Sequence, residues 1–382
     1  MDFSFTETQA ELRGLASTIV GQEATPDRQK ELEAADDWDR RLWAALAEAN
    51  LVGVSLPERF GGLGFGVMEL AVVLAEVGRH VAPVPFVTTI ALAAMPLARF
   101  GDPQTAERLL PGVVAGTTLL GAALEEAAGF DVLDPATVAS REGTGWRIDG
   151  EKVAVAYAAE AAAILVSATV GEGETAVFIV EAGTVGLTIE AATGTQHEPQ
   201  ALVSFEGVLV SAEARLGNEA GESGEVLAWI HRHGLAALAA TAVGVFEEAI
   251  RITAGYLTER EQFGRPLATF QGATLRAADA YIDTRAIAEA TWSAVWRLAE
   301  GRPADDALAI AKFWVAEGGQ RVAHACQHLH GGIGVDTDYP IHRYFLWAKH
   351  LELTLGGATI HLIRLGDSFT RAGALVGKQE HP

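Results

Sequence analysis

The spacing of apolar residues along this 382-residue chain changes twice, and those changes constrain the fold more than any single motif. Up to about Thr117 apolar residues recur at helical spacing. They then come in short β-rich runs between glycine-containing turns, and from about Glu222 the helical spacing returns. The chain therefore reads as α+β in three units. An N-terminal α-helical domain covers 1–116, a small antiparallel β domain covers 117–221, and a C-terminal α-helical four-helix bundle covers 222–382. Neither an internal repeat nor a low-complexity linker interrupts this order.

Local signals place the elements. Thr6 with Gln9 forms a capping box ahead of the stripe Leu12, Leu15, Ala16, Ile19 and Val20. A second stripe, Leu42, Trp43 and Leu46, is expected to stop near Gly53, and a third helix over 67–77 to end at Gly78. Asp102 and Pro103 read as the N-cap and first residue of another short helix. PERFGGLGFG at 57–66 does not fit G-x-G-x-x-G and reads as a turn. Strands are expected over 119–124, 137–141, 146–148, 164–168, 176–180 and 203–210. Long helices are expected over 222–260, 275–300 and 304–330.

Charge and cysteine content narrow the function. Lys and Arg number 28 against 50 Asp and Glu, a net charge of −22, which repels phosphate backbones and anionic lipid. Nucleic acid and membrane surfaces are thus disfavoured as partners. The single cysteine, Cys326, rules out an internal disulfide and a multi-cysteine metal site. The start, MDFSFTE, lacks a basic and then apolar leader, and no run reaches the ~20 apolar residues of a membrane helix, so a cytoplasmic location is expected. His324, His328 and His330 beside Cys326 do not make a metal site, because only His324 and His328 share a helical face and no carboxylate joins them.

Three stretches of the last unit carry chemistry. The first runs from Arg260 through Glu261, Gln262, Phe263 and Gly264 to Leu267, followed by Phe270 and Gln271. An arginine beside an aromatic ring and a glycine can hold a pyrophosphate and a stacked base, or can simply cap a helix end. The second, HLHGGIG from His328, puts Gly331 and Gly332 where they either end a helix or bring backbone N–H groups to a phosphate. The third, HLELTLGGATIHLI from His350, is an apolar helix-like run broken by Gly356 and Gly357.

Taken together, helical domain, β domain and bundle, with R-x-Q-F-G-x-P-L-x-x-F-Q and then H-G-G-x-G, resemble the acyl-CoA dehydrogenase family over essentially the whole chain. The resemblance implies FAD bound between subunits. One subunit holds the flavin ring and the thioester, and its neighbour lends an arm for the pyrophosphate and adenosine. Carried over, that arm consists of Arg260, Gln262, Phe263, Phe270, Gln271, His328, Gly331 and Gly332, with His328 standing where the family usually has Gln.

The departures are as informative. The family's usual catalytic glutamate falls at Leu355, before Gly356 and Gly357, and the alternative position, on the long helix, falls at about Gly234. Neither residue can accept a proton. The flavin-facing T-E-P-x-x-G-S-D type segment reads Glu125-Glu126-Ala127-Ala128-Gly129-Phe130-Asp131, and the flavin-shielding W-x-T reads Ala154-Val155-Ala156. No catalytic residue is therefore assigned. This pattern, together with HGGIGVDTDYPIHRYF, is similar to the base-less β subunits of actinobacterial heterotetrameric acyl-CoA dehydrogenases acting on steroid side-chain thioesters. The similarity implies a catalytic α-subunit partner, an α2β2 assembly and FAD shared with that partner. Two alternatives stay open. One is a homo-oligomeric dehydrogenase with an unrecognised base, for which Glu247, Glu248, His231 and His233 are candidates although they read as exposed helix residues; the other is a structural or regulatory relic.

Overall fold

A computed structural model describes residues 4–127, 129, 131–171, 173–217 and 223–371. The first unit contains α1 (Glu7–Glu23), α2 (Pro26–Ala35), α3 (Arg40–Glu48), α4 (Val67–Arg79), a π-helical stretch Phe86–Ala94 that runs into α5 (Met95–Phe100), and α6 (Pro103–Val114). The Thr6–Gln9 capping box forms, and the Asp102 carboxylate caps α6 by accepting from the Thr105 N–H at 3.0 Å. The segment at 57–66 is a turn with one 3₁₀ turn inside it. α3 stops at Glu48, short of Gly53, because Asn50 takes up the left-handed conformation at φ 58°.

The sheet contains β1 (Leu119–Ala123), β2 (Val138–Glu142), β3 (Gly145–Lys152), β4 (Ala161–Val170), β5 (Glu174–Glu181), β6 (Leu187–Thr193) and β7 (Pro199–Val210). They are ordered β1-β4-β2-β3-β7-β6, and β5 also pairs with β4. Most pairings are antiparallel as expected, but β1 and β2 run parallel to β4, so the sheet is mixed. A parallel pair needs a long crossover, and the β2–β3 hairpin supplies it between β1 and β4. β6 escaped sequence reading because it is an edge strand with mostly exposed residues and little apolar alternation. Trp146, Phe178 and Phe205 fill a core of its own for this unit.

The third unit runs through α7 (Ser223–Glu259), the hairpin β8 (Glu261–Gln262) and β9 (Arg265–Pro266), and α8 (Gln271–Ala299). α9 (Asp305–Phe313) continues through a π-helical turn into α10 (Gly319–His330), followed by α11 (Ile341–Leu353) and α12 (Ala358–Arg371). Leu355, Gly356 and Gly357 break the last helical pair, as expected. The division placed at 221/222 lies outside the described residues. α4 does not end at Gly78 but continues to Arg79. A Cβ at Gly78 would lie 2.0 Å from the Thr241 carbonyl of α7, and one at Gly244 only 1.8 Å from that of Ala75. Two glycines thus let α4 and α7 cross in close contact, and one continuous apolar core joins the first unit to the bundle. No helix among the described residues is long and apolar enough to cross a membrane.

Candidate functional site

The three units meet around a small pocket. Leu74 of α4, Phe86 and Leu92 of the π-helical stretch, Leu238 of α7, Leu351 of α11 and Leu355 give it apolar walls. Glu125 lies on the sheet side, and Glu198 and His350 approach one another at 4.0 Å on another wall. The cavity holds about 70 Å³, room for a few waters.

Of the two positions that the family resemblance assigns to a base, Leu355 lines the pocket and Gly234 packs directly against it. A Cβ on Gly234 would stand 2.7 Å from Leu355 Cδ1 and 2.5 Å from Leu92 Cδ2, so leucine carbons fill the space next to position 234. Leu355 is buried and sits in the left-handed region at φ 56°. The fully buried Lys312 holds that turn, its Nζ donating to the carbonyls of Leu351 (2.8 Å), Glu352 (2.9 Å) and Gly356 (2.9 Å). Burial pushes the Lys312 ammonium down to about 7, against the pull of Glu125 and Glu352. His361 Nε2 approaches the Leu355 carbonyl at 3.2 Å.

Sequence reasoning missed Glu125. Its Oε1 accepts the Leu355 N–H at 2.8 Å, and burial raises its carboxyl above the usual range, opposed by that bond and by Lys312. Its neighbour Glu126 turns away to the buried Lys152 at 2.7 Å and to the Thr137 N–H and hydroxyl at 2.9 and 2.7 Å. The available signal was an acidic pair one residue beyond the fully buried β1. Ala154, at φ 51°, and Ala156 also line the pocket and present neither a ring nor a hydroxyl to it.

The four alternative candidates lie elsewhere. None of them is exposed as expected: His231 and His233 are buried and Glu247 and Glu248 half-buried, because α7 is enclosed along these stretches. His233 stacks on Trp229 with ring centroids 3.5 Å apart, its Nδ1 bonds the Trp229 carbonyl at 2.9 Å, and burial pushes its ring down to about 4. His231 contacts Arg364, which pairs with Asp131. Glu247 pairs with Arg79 at 2.8 Å and Glu248 with Arg251 at 2.8 Å. None of the four lines the pocket.

The arm residues lie at the far end of α7. About 25 helical residues separate Gly234 from that end, roughly 38 Å at ~1.5 Å per residue, so these residues are remote from the pocket. Arg260 follows the last turn, and among the described residues its guanidinium has no carboxylate partner. Gln262 pairs with Arg265 across the hairpin. Phe263 sits at its tip, 93 % exposed at φ 54°, edge-on to Phe270 at 6.2 Å. The Arg265 guanidinium lies 4.1 Å from the Phe270 ring centre, and Gln271 opens α8. Tyr256 ties the two motifs together. It lies one turn before Arg260, its ring stacks on His330 at 4.5 Å, and its hydroxyl donates to the His330 carbonyl at 3.3 Å. Beyond His330, Gly331 takes φ 63°, and no neighbouring atom lies within 4 Å of where a Cβ on Gly331 or Gly332 would be. His328 is exposed beside them. The result is a cation, an exposed ring and a bare glycine turn on one surface, a donor set suited to a phosphate and a stacked base.

The chain matches the acyl-CoA dehydrogenase N-terminal domain over residues 6–117, the middle domain over 122–208 and the C-terminal domain over 226–369. It is 39% identical to Acyl-CoA dehydrogenase FadE27 of Mycobacterium tuberculosis over 375 residues, covering 96% of this chain and 98% of that protein. FadE28 of the same organism is 35% identical over 324 residues, with 85% and 91% covered. Among solved structures, a variant of the Tcur3481-Tcur3483 steroid ACAD superposes with a TM-score of 0.90 at 44% identity, covering 96% of this chain and 99% of that one. The ChsE4-ChsE5 complex from Mycobacterium tuberculosis gives 0.91 at 39% identity, with both chains fully covered at 100%.

Proposed function

The chain belongs to the acyl-CoA dehydrogenase family, and we propose that within it this is a non-catalytic subunit, obligatory to an FAD-dependent enzyme whose base stands on a partner. The observation that carries this reading is the contact of Leu355 with Gly234: both places for a proton acceptor are present, adjacent and without a carboxylate. Removing the α-proton of an acyl thioester requires a positioned base, and FAD, when bound, supplies the hydride acceptor for the same desaturation.

The arm fits the nucleotide end of that cofactor. Arg260 would pair with the pyrophosphate, Gly331 and Gly332 would admit it to the backbone, and Phe263 and Phe270 would offer faces to the base, with Gln262, Gln271 and His328 as further polar contacts. Ala154 and Ala156 offer the flavin ring nothing comparable. We take the partner to be a catalytic α subunit in an α2β2 assembly, the substrate to be a steroid-type side-chain acyl-CoA bound mainly by the partner, and the location to be cytoplasmic. Similarity to the ChsE4-ChsE5 complex supports a partner, and similarity to the Tcur3481-Tcur3483 steroid ACAD supports a steroid-type substrate.

One observation favours a second reading, oxidation by this chain alone: Glu125 lines the same pocket as Leu355. Expression of the chain with and without its partner, recording flavin absorbance and acyl-CoA oxidation, separates the two. The subunit reading expects activity only in the pair. Full activity and one flavin per chain in the solitary protein, abolished by Glu125→Gln, would establish the other.

A further inference from the structure

We propose, resting on the arm reading above, that His330 is a positioning residue for the cofactor: its ring, clamped between Tyr256 and Tyr339, sets where the Gly331–Gly332 turn stands relative to Arg260. Arg260 follows α7 and the glycine turn follows α10, so a pyrophosphate gripped by both needs the two helix ends held to within about 0.5 Å. His330 is the last residue of α10, and its carbonyl belongs to the peptide that leads into Gly331. At a helix end such a carbonyl has no intrahelical donor. Tyr256 of α7 supplies one at 3.3 Å, and its own carbonyl accepts the Arg260 N–H at 2.8 Å. One tyrosine therefore holds a main-chain group of each motif.

The rings complete the clamp. Tyr256 stacks on the imidazole at 4.5 Å with the planes 26° apart, and Tyr339, in the loop before α11, lies 5.2 Å from the imidazole and 6.1 Å from Tyr256. Inside it the imidazole is pinned, because Nδ1–H donates to the Cys326 carbonyl at 2.8 Å. The turn folds back on the same residue: a Cβ at Gly334 would lie 3.2 Å from the His330 Cβ and 2.7 Å from the Gln327 carbonyl oxygen. With the proton on Nδ1, Nε2 is an acceptor that is buried and has no hydrogen-bond partner among the described residues. An orphaned acceptor lowers stability, so an aliphatic side chain would fill this place at less cost. What the imidazole adds is a flat face for two tyrosines.

The test is the FAD dissociation constant of the complex co-purified with its partner, with variants placed in this chain. His330→Phe keeps a flat ring and is expected to stay within about threefold of the wild type. His330→Leu fills similar space without a ring and is expected to bind FAD at least about tenfold more weakly, through loss of two ring contacts. Tyr256→Phe keeps the stack and removes only the hydroxyl. It is expected to bind about fivefold more weakly, the effect of one neutral hydrogen bond, and it decides the question if His330→Leu does not fold. Arg260→Ala is the control for the arm itself. If that change weakens FAD binding while folded His330→Leu or Tyr256→Phe binds as the wild type does, the positioning role is overturned and the arm reading stands. Equal weakening by His330→Phe and His330→Leu would also overturn it, since filling and not stacking would then be at issue. An Arg260→Ala complex that binds FAD as the wild type does would bring down both.

Discussion

Gly234 and Leu355, far apart in sequence, are so closely packed that a Cβ on the first would stand 2.7 Å from Cδ1 of the second. Leu92 closes the other side at 2.5 Å. A base restored at 234 has no room unless leucine moves. Gly234→Ala is expected to lower stability by ~1–3 kcal/mol through overpacking, measured by urea unfolding. An unchanged midpoint would mean that the leucines yield freely and that the position is not blocked.

Lys312 is expected to matter for the turn rather than for chemistry. Lys312→Met leaves the carbonyls of Leu351, Glu352 and Gly356 without their donor, at ~1 kcal/mol each and so roughly 3 kcal/mol in all. The loss should appear in the denaturation midpoint. A gain in stability would show that the cost of burying the ammonium exceeds what its three bonds return.

The buried histidines set an acid limit. His233 and His361 are held down to about 4 by burial, whereas an unfolded chain titrates its imidazoles near 6.5. Between those values the unfolded state binds more protons, so stability falls as pH drops from about 6.5 to about 4, by roughly 3 kcal/mol per histidine. Denaturant unfolding at several pH values should show a shallower slope for His361→Gln. A slope equal to that of the wild type would assign the acid sensitivity to other groups.

The glycine turn separates stability from cofactor retention. Nothing lies within 4 Å of a Cβ at Gly332, so Gly332→Ala should change stability by less than ~0.5 kcal/mol. In the assembled enzyme it should nevertheless weaken FAD retention, read as flavin lost on gel filtration. Retention at the wild-type level would remove the turn from the cofactor site.

The order of helices, sheet and bundle follows from burial along each element, which apolar spacing records directly. The two glycine-containing motifs stand out because each is contiguous in the sequence, whereas the contact of Tyr256 with His330 that joins them does not show there. Features set by distant partners escaped. Gly78 looks like a helix stop until Thr241 lies against it, and His231 and His233 look exposed until α7 is enclosed. Likewise, nothing in Glu125-Glu126 says which acid turns into the pocket. Lys152 decides it by taking Glu126.

Arg260 decides whether this chain grips the nucleotide end of a flavin whose reactive end belongs to a partner. The measurement is the flavin dissociation constant of the co-purified complex carrying Arg260→Ala in this chain. Loss of one charge-assisted contact, ~1.5–3 kcal/mol, predicts roughly 10- to 100-fold weaker binding with the fold unchanged. Wild-type affinity in that variant would contradict the claim and leave the chain a structural relic.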